Sequence, residues 1–217
     1  MKKAWVLLFV CLQQLAGHAQ TSCYKFDFGN GKLMPGYTKV TTDTKYNDAT
    51  GYGFDKYADD IVSKSAMKGN TFLSDYITSP TAFYFSVKLP EGNYDVKVIL
   101  GDYYGTTDAT IRAECRRLMV EKVTTVKGKF ATVNFTVHVK DSLIRNEKNE
   151  VVSKVRLKER EVGYLHWDNK LTLEFNGPAP KICAVEITPN KTATTVSSQA
   201  IPPSWTRTKS PGRPGDK

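Results

Sequence analysis

The stretch FYFSVKLPEGNYDVKVIL, residues 83–100, decides the fold class. Phe83, Phe85, Val87 and Leu89 alternate with polar partners, and Tyr94, Val96, Val98 and Leu100 alternate again after Pro90-Glu91-Gly92-Asn93. A two-residue period marks a strand with one packed and one wet face, and the Pro/Gly/Asn cluster marks a turn. The stretch therefore predicts a β-hairpin. Working outward, the same period predicts strands at Tyr24–Phe28, Thr71–Ile77, Thr110–Val120, Lys129–Val139, Lys170–Phe175 and Lys181–Ile187. No segment carries a sustained 3.6-residue period, so the chain reads as all-β, with two antiparallel sheets stacked as a sandwich. The polar stretch from Asp141 to Glu161 reads as a solvated loop and edge region.

At 217 residues the chain is long enough for one well-buried domain with appendages. Residues 1–19 have the form of an export signal: Lys2 and Lys3, the apolar run Ala4–Leu12, then Gly17-His18-Ala19 ahead of Gln20. A secreted or periplasmic product is expected, with no membrane attachment once the signal is removed. Residues 20–189 are read as the sandwich and 190–217 as a linker and disordered tail. Cys23, Cys115 and Cys183 remain after processing, so at most one internal disulfide forms; Cys183, in the run ICAV, suits a small buried hydrophobe. No metal-ligand spacing occurs among the cysteines, and no cofactor motif is present.

Of the net charge of +9, the signal holds +2 (Lys2, Lys3) and the tail +3 (Arg207, Lys209, Arg213 and Lys217 against Asp216), which leaves +4 for the body. That excess lacks the clustered basic face of a nucleic-acid binder and is compatible with an acidic polysaccharide. His138 alternates with Val137 and Val139 and reads as a solvent-facing or satisfied strand histidine; no nucleophile, base and orienting group stand together in the sequence.

The last segment, VSSQAIPPSWTRTKSPGRPGDK at 196–217, breaks with the rest. Its composition alone reads as a disordered, basic, Pro-rich tail. A nucleotide string encoding it, with one T restored after the first valine codon, instead translates as VFLAGNSTVVDQDQEPWPPWGQ, a peptide this chain does not contain. The recovered peptide resembles the opening block of SGNH (GDSL-like) hydrolases, specifically rhamnogalacturonan acetylesterases, where an apolar strand runs into Gly-Asp/Asn-Ser-Thr. Within the body, KFDFGNGKLMPGYTKV at 25–40, GYGFD at 51–55, the 85–102 segment and LHWDNKLTLEFNGPAPKICAVEIT at 165–188 resemble the domain preceding the esterase domain in those bacterial enzymes. The resemblance implies a galactose-binding-like jelly roll acting as a non-catalytic module, with the SGNH catalytic residues encoded beyond a frameshift.

For binding, the sequence offers loop aromatics with carboxylates: Tyr52, Phe54 and Asp55; Asp102, Tyr103 and Tyr104; and Tyr164, His166, Trp167 and Asp168. Flat aromatic faces suit sugar C–H patches, and Asp and His suit hydroxyls. Such residues are expected to converge at one rim for carbohydrate, to face the cognate esterase domain, or to pack under loops. The expected partners are pectic polysaccharide (rhamnogalacturonan) or that SGNH domain. The alternatives are a stand-alone secreted carbohydrate-binding protein or a fragment of an active esterase.

Overall fold

A computed structural model describes residues 23–55, 58–65, 73–156, 158–159 and 167–194; the expected signal and the 196–217 tail lie outside these residues. In chain order the strands are β1 (Tyr24–Phe28), β2 (Thr38–Val40), β3 (Tyr52–Phe54), β4 (Val62–Ser65), β5 (Asp75–Thr78), β6 (Phe83–Lys88), β7 (Gly92–Asp102), β8 (Thr107–Ala113), β9 (Arg117–Thr125), β10 (Lys129–Val139), β11 (Leu143–Arg145), β12 (Val151–Lys154), β13 (Lys170–Ala179) and β14 (Ile182–Pro189). A seven-stranded sheet has the order β10-β7-β14-β1-β2, with β5 on β14 and β4 on β5; a five-stranded sheet has the order β3-β6-β13-β8-β9. From β5 to β8 each successive strand changes sheet, the crossing pattern of a jelly-roll sandwich.

The inner faces meet through rings. Phe26 and Phe28 of one sheet stand edge-on to Phe85 of the other, at 5.0 and 4.9 Å, and Phe54 and Phe83 extend the cluster at 6.0 Å. Leu171, Leu173 and Phe175 from β13 and Val96, Val98 and Leu100 from β7 fill the remaining core. Each such side chain contributes about 1.5–3 kcal/mol by leaving water, and edge-to-face pairs add to that.

The expected hairpin at 83–100 is corrected. The strands exist, but β6 lies between β3 and β13 while β7 lies between β10 and β14 in the other sheet. Residues 89–91 carry the chain across the core, as an arch rather than a turn. The alternation is genuine because both strands bury their apolar set against the same core, from opposite sides. Alternation reports which face is buried and is silent on which strand supplies the hydrogen bonds.

The single strand expected at Thr110–Val120 is two strands, β8 and β9, paired as a hairpin. Its turn places Glu114 at φ 53° and Arg116 at φ 57°, conformations that large side chains rarely adopt. No glycine or asparagine announces the turn. The expected 71–77 strand begins at Asp75, with residues 71 and 72 outside the described set, and the polar 141–161 stretch carries the small β11–β12 hairpin.

Gly53 shows why GYGFD needs its glycine. A Cβ there would sit 2.5 Å from the Lys45 carbonyl carbon and the Tyr46 nitrogen, where the chain folds back over β3.

Candidate functional site

The predicted binding residues separate. Asp102 ends β7 and Tyr103 and Tyr104 follow it, whereas Trp167 belongs to the end where β7 begins, among Pro90, Glu91 and Asn93. At about 3.3 Å per residue, the eleven residues of β7 hold these two groups roughly 30 Å apart. These two groups therefore stand apart, since loops at opposite ends of a sandwich cannot share a ligand ring.

Within these groups most members have structural duties. Phe54 is core, and Tyr52 is half-buried with its ring 5.2 Å from Phe26. Asp55 accepts hydrogen bonds from Ser86 Oγ (3.1 Å) and Lys170 Nζ (2.5 Å) on the outer side of the five-stranded sheet. Asp102 is buried and accepts from Lys181 Nζ (2.5 Å), Tyr76 Oη (3.0 Å) and the Tyr104 backbone N–H (2.9 Å). Burial would lift its carboxyl, but the Lys181, Tyr104 and Tyr76 hydrogen bonds outweigh that and hold it below the ordinary range. Asp102 therefore pins a loop. Tyr103 packs edge-on against Phe130 at 4.9 Å, and Tyr104 is exposed, with Lys127 Nζ 5.8 Å from its ring. Asp168 Oδ1 accepts from the Lys170 N–H at 3.2 Å. Tyr164 and His166 lie outside the described residues.

Trp167, alone among the described members, lines a large depression. An open groove of about 1140 Å³ runs between the start of β7, the end of β10, the β11–β12 hairpin and the exit segment Ala193–Thr194. Trp167, at φ 59°, lies under Lys140 Nζ at 4.8 Å, a cation over an aromatic face. Asn93 Nδ2 donates to Ala193 O at 2.9 Å, which turns its Oδ1 toward His138 Nδ1, also at 2.9 Å. That orientation assigns the imidazole proton to Nδ1 and gives Nε2 the acceptor role. Burial first, then Lys140, lowers the His138 pKa, so the ring is neutral at neutral pH.

Arg145 reaches Glu91 (2.8 Å) and Asp141 (2.7 Å), so its charge is compensated. Arg117 and Lys140 also line the groove, and no salt bridge to either is found among the described residues. The groove thus combines one aromatic face, amide and imidazole hydrogen-bonding groups, and two cations without a salt-bridge partner there. Leu143, Ile144 and Val155 supply its apolar part.

Sequence reasoning missed Asn93, Lys140, Arg117 and the Glu91–Arg145 pair, and took His138 only as a filled strand position. Their common signal is positional: Asn93 and His138 face each other in the β7–β10 register. That pairing is invisible without the sheet order. Among the described residues, no three His, Cys, Asp or Glu side chains are grouped as a metal site.

The fold and this groove can be set beside known proteins. The family model described as beta-agarase/YXIM esterase-like, galactose-binding domain-like, matches residues 24–149. The uncharacterized esterase YxiM of Bacillus subtilis (strain 168) is 31% identical over 151 residues, covering 65% of this chain and 38% of YxiM. The crystal structure of the Bacillus subtilis YxiM protein superposes with a TM-score of 0.57 at 26% identity, over 78% of this chain and 40% of that one. A more distant likeness, to the CBM35 of Paenibacillus barcinonensis, has a TM-score of 0.35 at 14% identity over 67% of this chain and 98% of that one. The chain spans about two fifths of the length of its curated relative. Strand order, inner-face rings and the matched residues lead to one conclusion: this chain belongs to the galactose-binding domain-like family of the beta-agarases and YXIM-type esterases.

Proposed function

We propose that this domain is a non-catalytic carbohydrate-binding module that holds pectic polysaccharide, rhamnogalacturonan in particular, for an SGNH-type acetylesterase working outside the cytoplasm. The observation that carries the reading is the Trp167 groove. A sugar ring lies on the indole, Asn93 and His138 address hydroxyls, and Arg117 and Lys140 address the carboxylates of galacturonate residues. The modest positive charge of the body draws an anionic polymer toward the domain.

Affinity electrophoresis of the purified protein through gels containing rhamnogalacturonan, polygalacturonate or agarose tests this. Retardation by the two uronate polymers, lost in Trp167→Ala, is the expected result. Equal mobility in all gels overturns carbohydrate binding.

A second reading is favoured by one observation: Ala193 and Thr194 form a wall of the same groove, so the chain leaves the sandwich there. A domain joined at that point would be held close to the groove at high effective concentration. Absence of polysaccharide binding together with saturable binding of a separately produced SGNH domain would favour docking. At the gene level, the out-of-frame reading of 196–217 predicts hydrolase codons continuing past codon 217, which genomic sequencing checks.

A further inference from the structure

On the face of the seven-stranded sheet opposite the core rings Phe26 and Phe28, β1 and β2 run parallel with Asp27 directly beside Lys39 in register. Lys39 Nζ is 3.3 Å from Asp27 Oδ2 and 3.2 Å from Asp75 Oδ2. The two carboxylates are 1% exposed, and the lysine side chain 22%. Asp27 Oδ2 also accepts the Met34 backbone N–H at 3.0 Å, and Asp75 Oδ2 accepts that of Gly31. Asp27 Oδ1 is buried with no hydrogen-bond partner among the described residues. A buried carboxylate oxygen left without a partner is costly, and two carboxylates share a single ammonium here. Burial is the largest cause raising the Asp27 pKa, with Asp75 adding to it.

We propose that Lys39 and Asp27 are joined by an intramolecular isopeptide bond that the domain forms on itself, with Asp75 carrying the proton. A proton moves from the Lys39 ammonium to Asp27 Oδ2, with which it is in contact, leaving a neutral amine facing a carboxylic acid. Nζ attacks Cγ and the carbonyl π pair moves onto Oδ1. Asp75 Oδ2, 3.2 Å from Nζ, takes a proton from it and returns it to the Oδ2 hydroxyl of Asp27. The Cγ–Oδ2 bond breaks, one water leaves, and the carbonyl re-forms on Oδ1. Nothing is oxidised or reduced, and no co-reactant is consumed.

The orphaned Oδ1 then becomes the oxygen of a neutral amide, which costs less to bury than a carboxylate oxygen. Condensation that bulk water opposes is favoured here because the reacting groups are held in register and the Lys39–Asp27 ion pair becomes neutral, while Asp75 keeps its charge and the Gly31 N–H. The bond ties the three-residue edge strand β2 to β1. That edge otherwise rests on three cross-strand pairs.

Mass spectrometry of the folded, purified full chain decides the matter. Under denaturing conditions the expected mass is lower than the sequence mass by one water. Trypsin should fail to cut after Lys39, and residues 26–32 (FDFGNGK) should be recovered covalently attached to 33–45 (LMPGYTKVTTDTK). Asp27→Ala and Asp75→Asn should restore the full mass and the cleavage, with near-ultraviolet circular dichroism confirming that they fold. A folded wild-type chain of full mass that is cut after Lys39 overturns the proposal and leaves an ordinary ion pair. Water loss confined to one unlinked peptide, as a succinimide would give, overturns it too. Cross-linking that persists in folded Asp75→Asn removes Asp75 from the reaction; if that variant does not fold, the wild-type peptide map still decides the bond.

Discussion

Phe28 of β1 and Phe85 of β6 stand edge to face with ring centroids 4.9 Å apart, joining two sheets that share no backbone hydrogen bonds along this contact. Phe85 also meets Phe26 and Phe54, so it is the ring on which the sandwich closes.

Replacing Phe85 with alanine should therefore cost about 3–5 kcal/mol, the sum of lost transfer free energy and an unfilled cavity. Urea unfolding followed by tryptophan fluorescence measures it. A cost below about 1 kcal/mol would mean that the sheets close without this ring.

Lys181→Met removes the cation facing the buried Asp102 carboxylate and should destabilise the domain by about 3 kcal/mol, because a buried charge loses its partner. Polysaccharide binding should be unchanged, since this cluster lies at the opposite end from Trp167. Thermal unfolding and gel retardation read the two effects separately.

Trp167→Ala should weaken polysaccharide binding at least about tenfold, equivalent to about 1.4 kcal/mol, whereas Tyr104→Ala should leave it within about twofold. Titration calorimetry compares them. The reverse ranking would move the binding surface to the Asp102 end.

Glu114 is the most displaced carboxyl outside the core. Burial, against the Thr172 N–H that it accepts, pushes its pKa up to about 8, with Asp168 adding to the rise. In the unfolded chain the same group ionises near 4.5, so between these values the folded state holds a proton that the unfolded state has released. Its contribution to stability is complete below pH 4.5 and lost as pH rises through about 8, a fall of a few kcal/mol. Glu114→Gln, which keeps the acceptor for Thr172, should flatten that slope. Urea midpoints at about pH 4, 6.5 and 9 (roughly below, within and above the window) check it; an unchanged slope would place the cause elsewhere.

The candidate site was only partly legible in the sequence. Trp167 was recognised by type, but its companions Asn93 and His138 are 45 residues apart and come together through the β7–β10 ladder. Asp102 and Phe54 have the composition of binding residues, yet burial gave one a lysine to pin and the other a ring to pack against. The strained turn at Glu114–Arg116 hid the β8–β9 hairpin, since neither residue type signals positive φ.

What the sequence determined by itself was which residues turn inward. Phe83, Phe85, Val87, Tyr94, Val96, Val98 and Leu100 were assigned to buried faces and are buried, because alternation is a local property of the extended chain. The all-β class and the family likeness follow from the same local patterns. Only the tertiary structure decided that β6 and β7 face each other across the core rather than side by side, and that Trp167 and Tyr104 lie at opposite ends. Strand pairing is made by backbone groups that every residue carries alike, so neighbours are chosen by the packing of the whole sandwich.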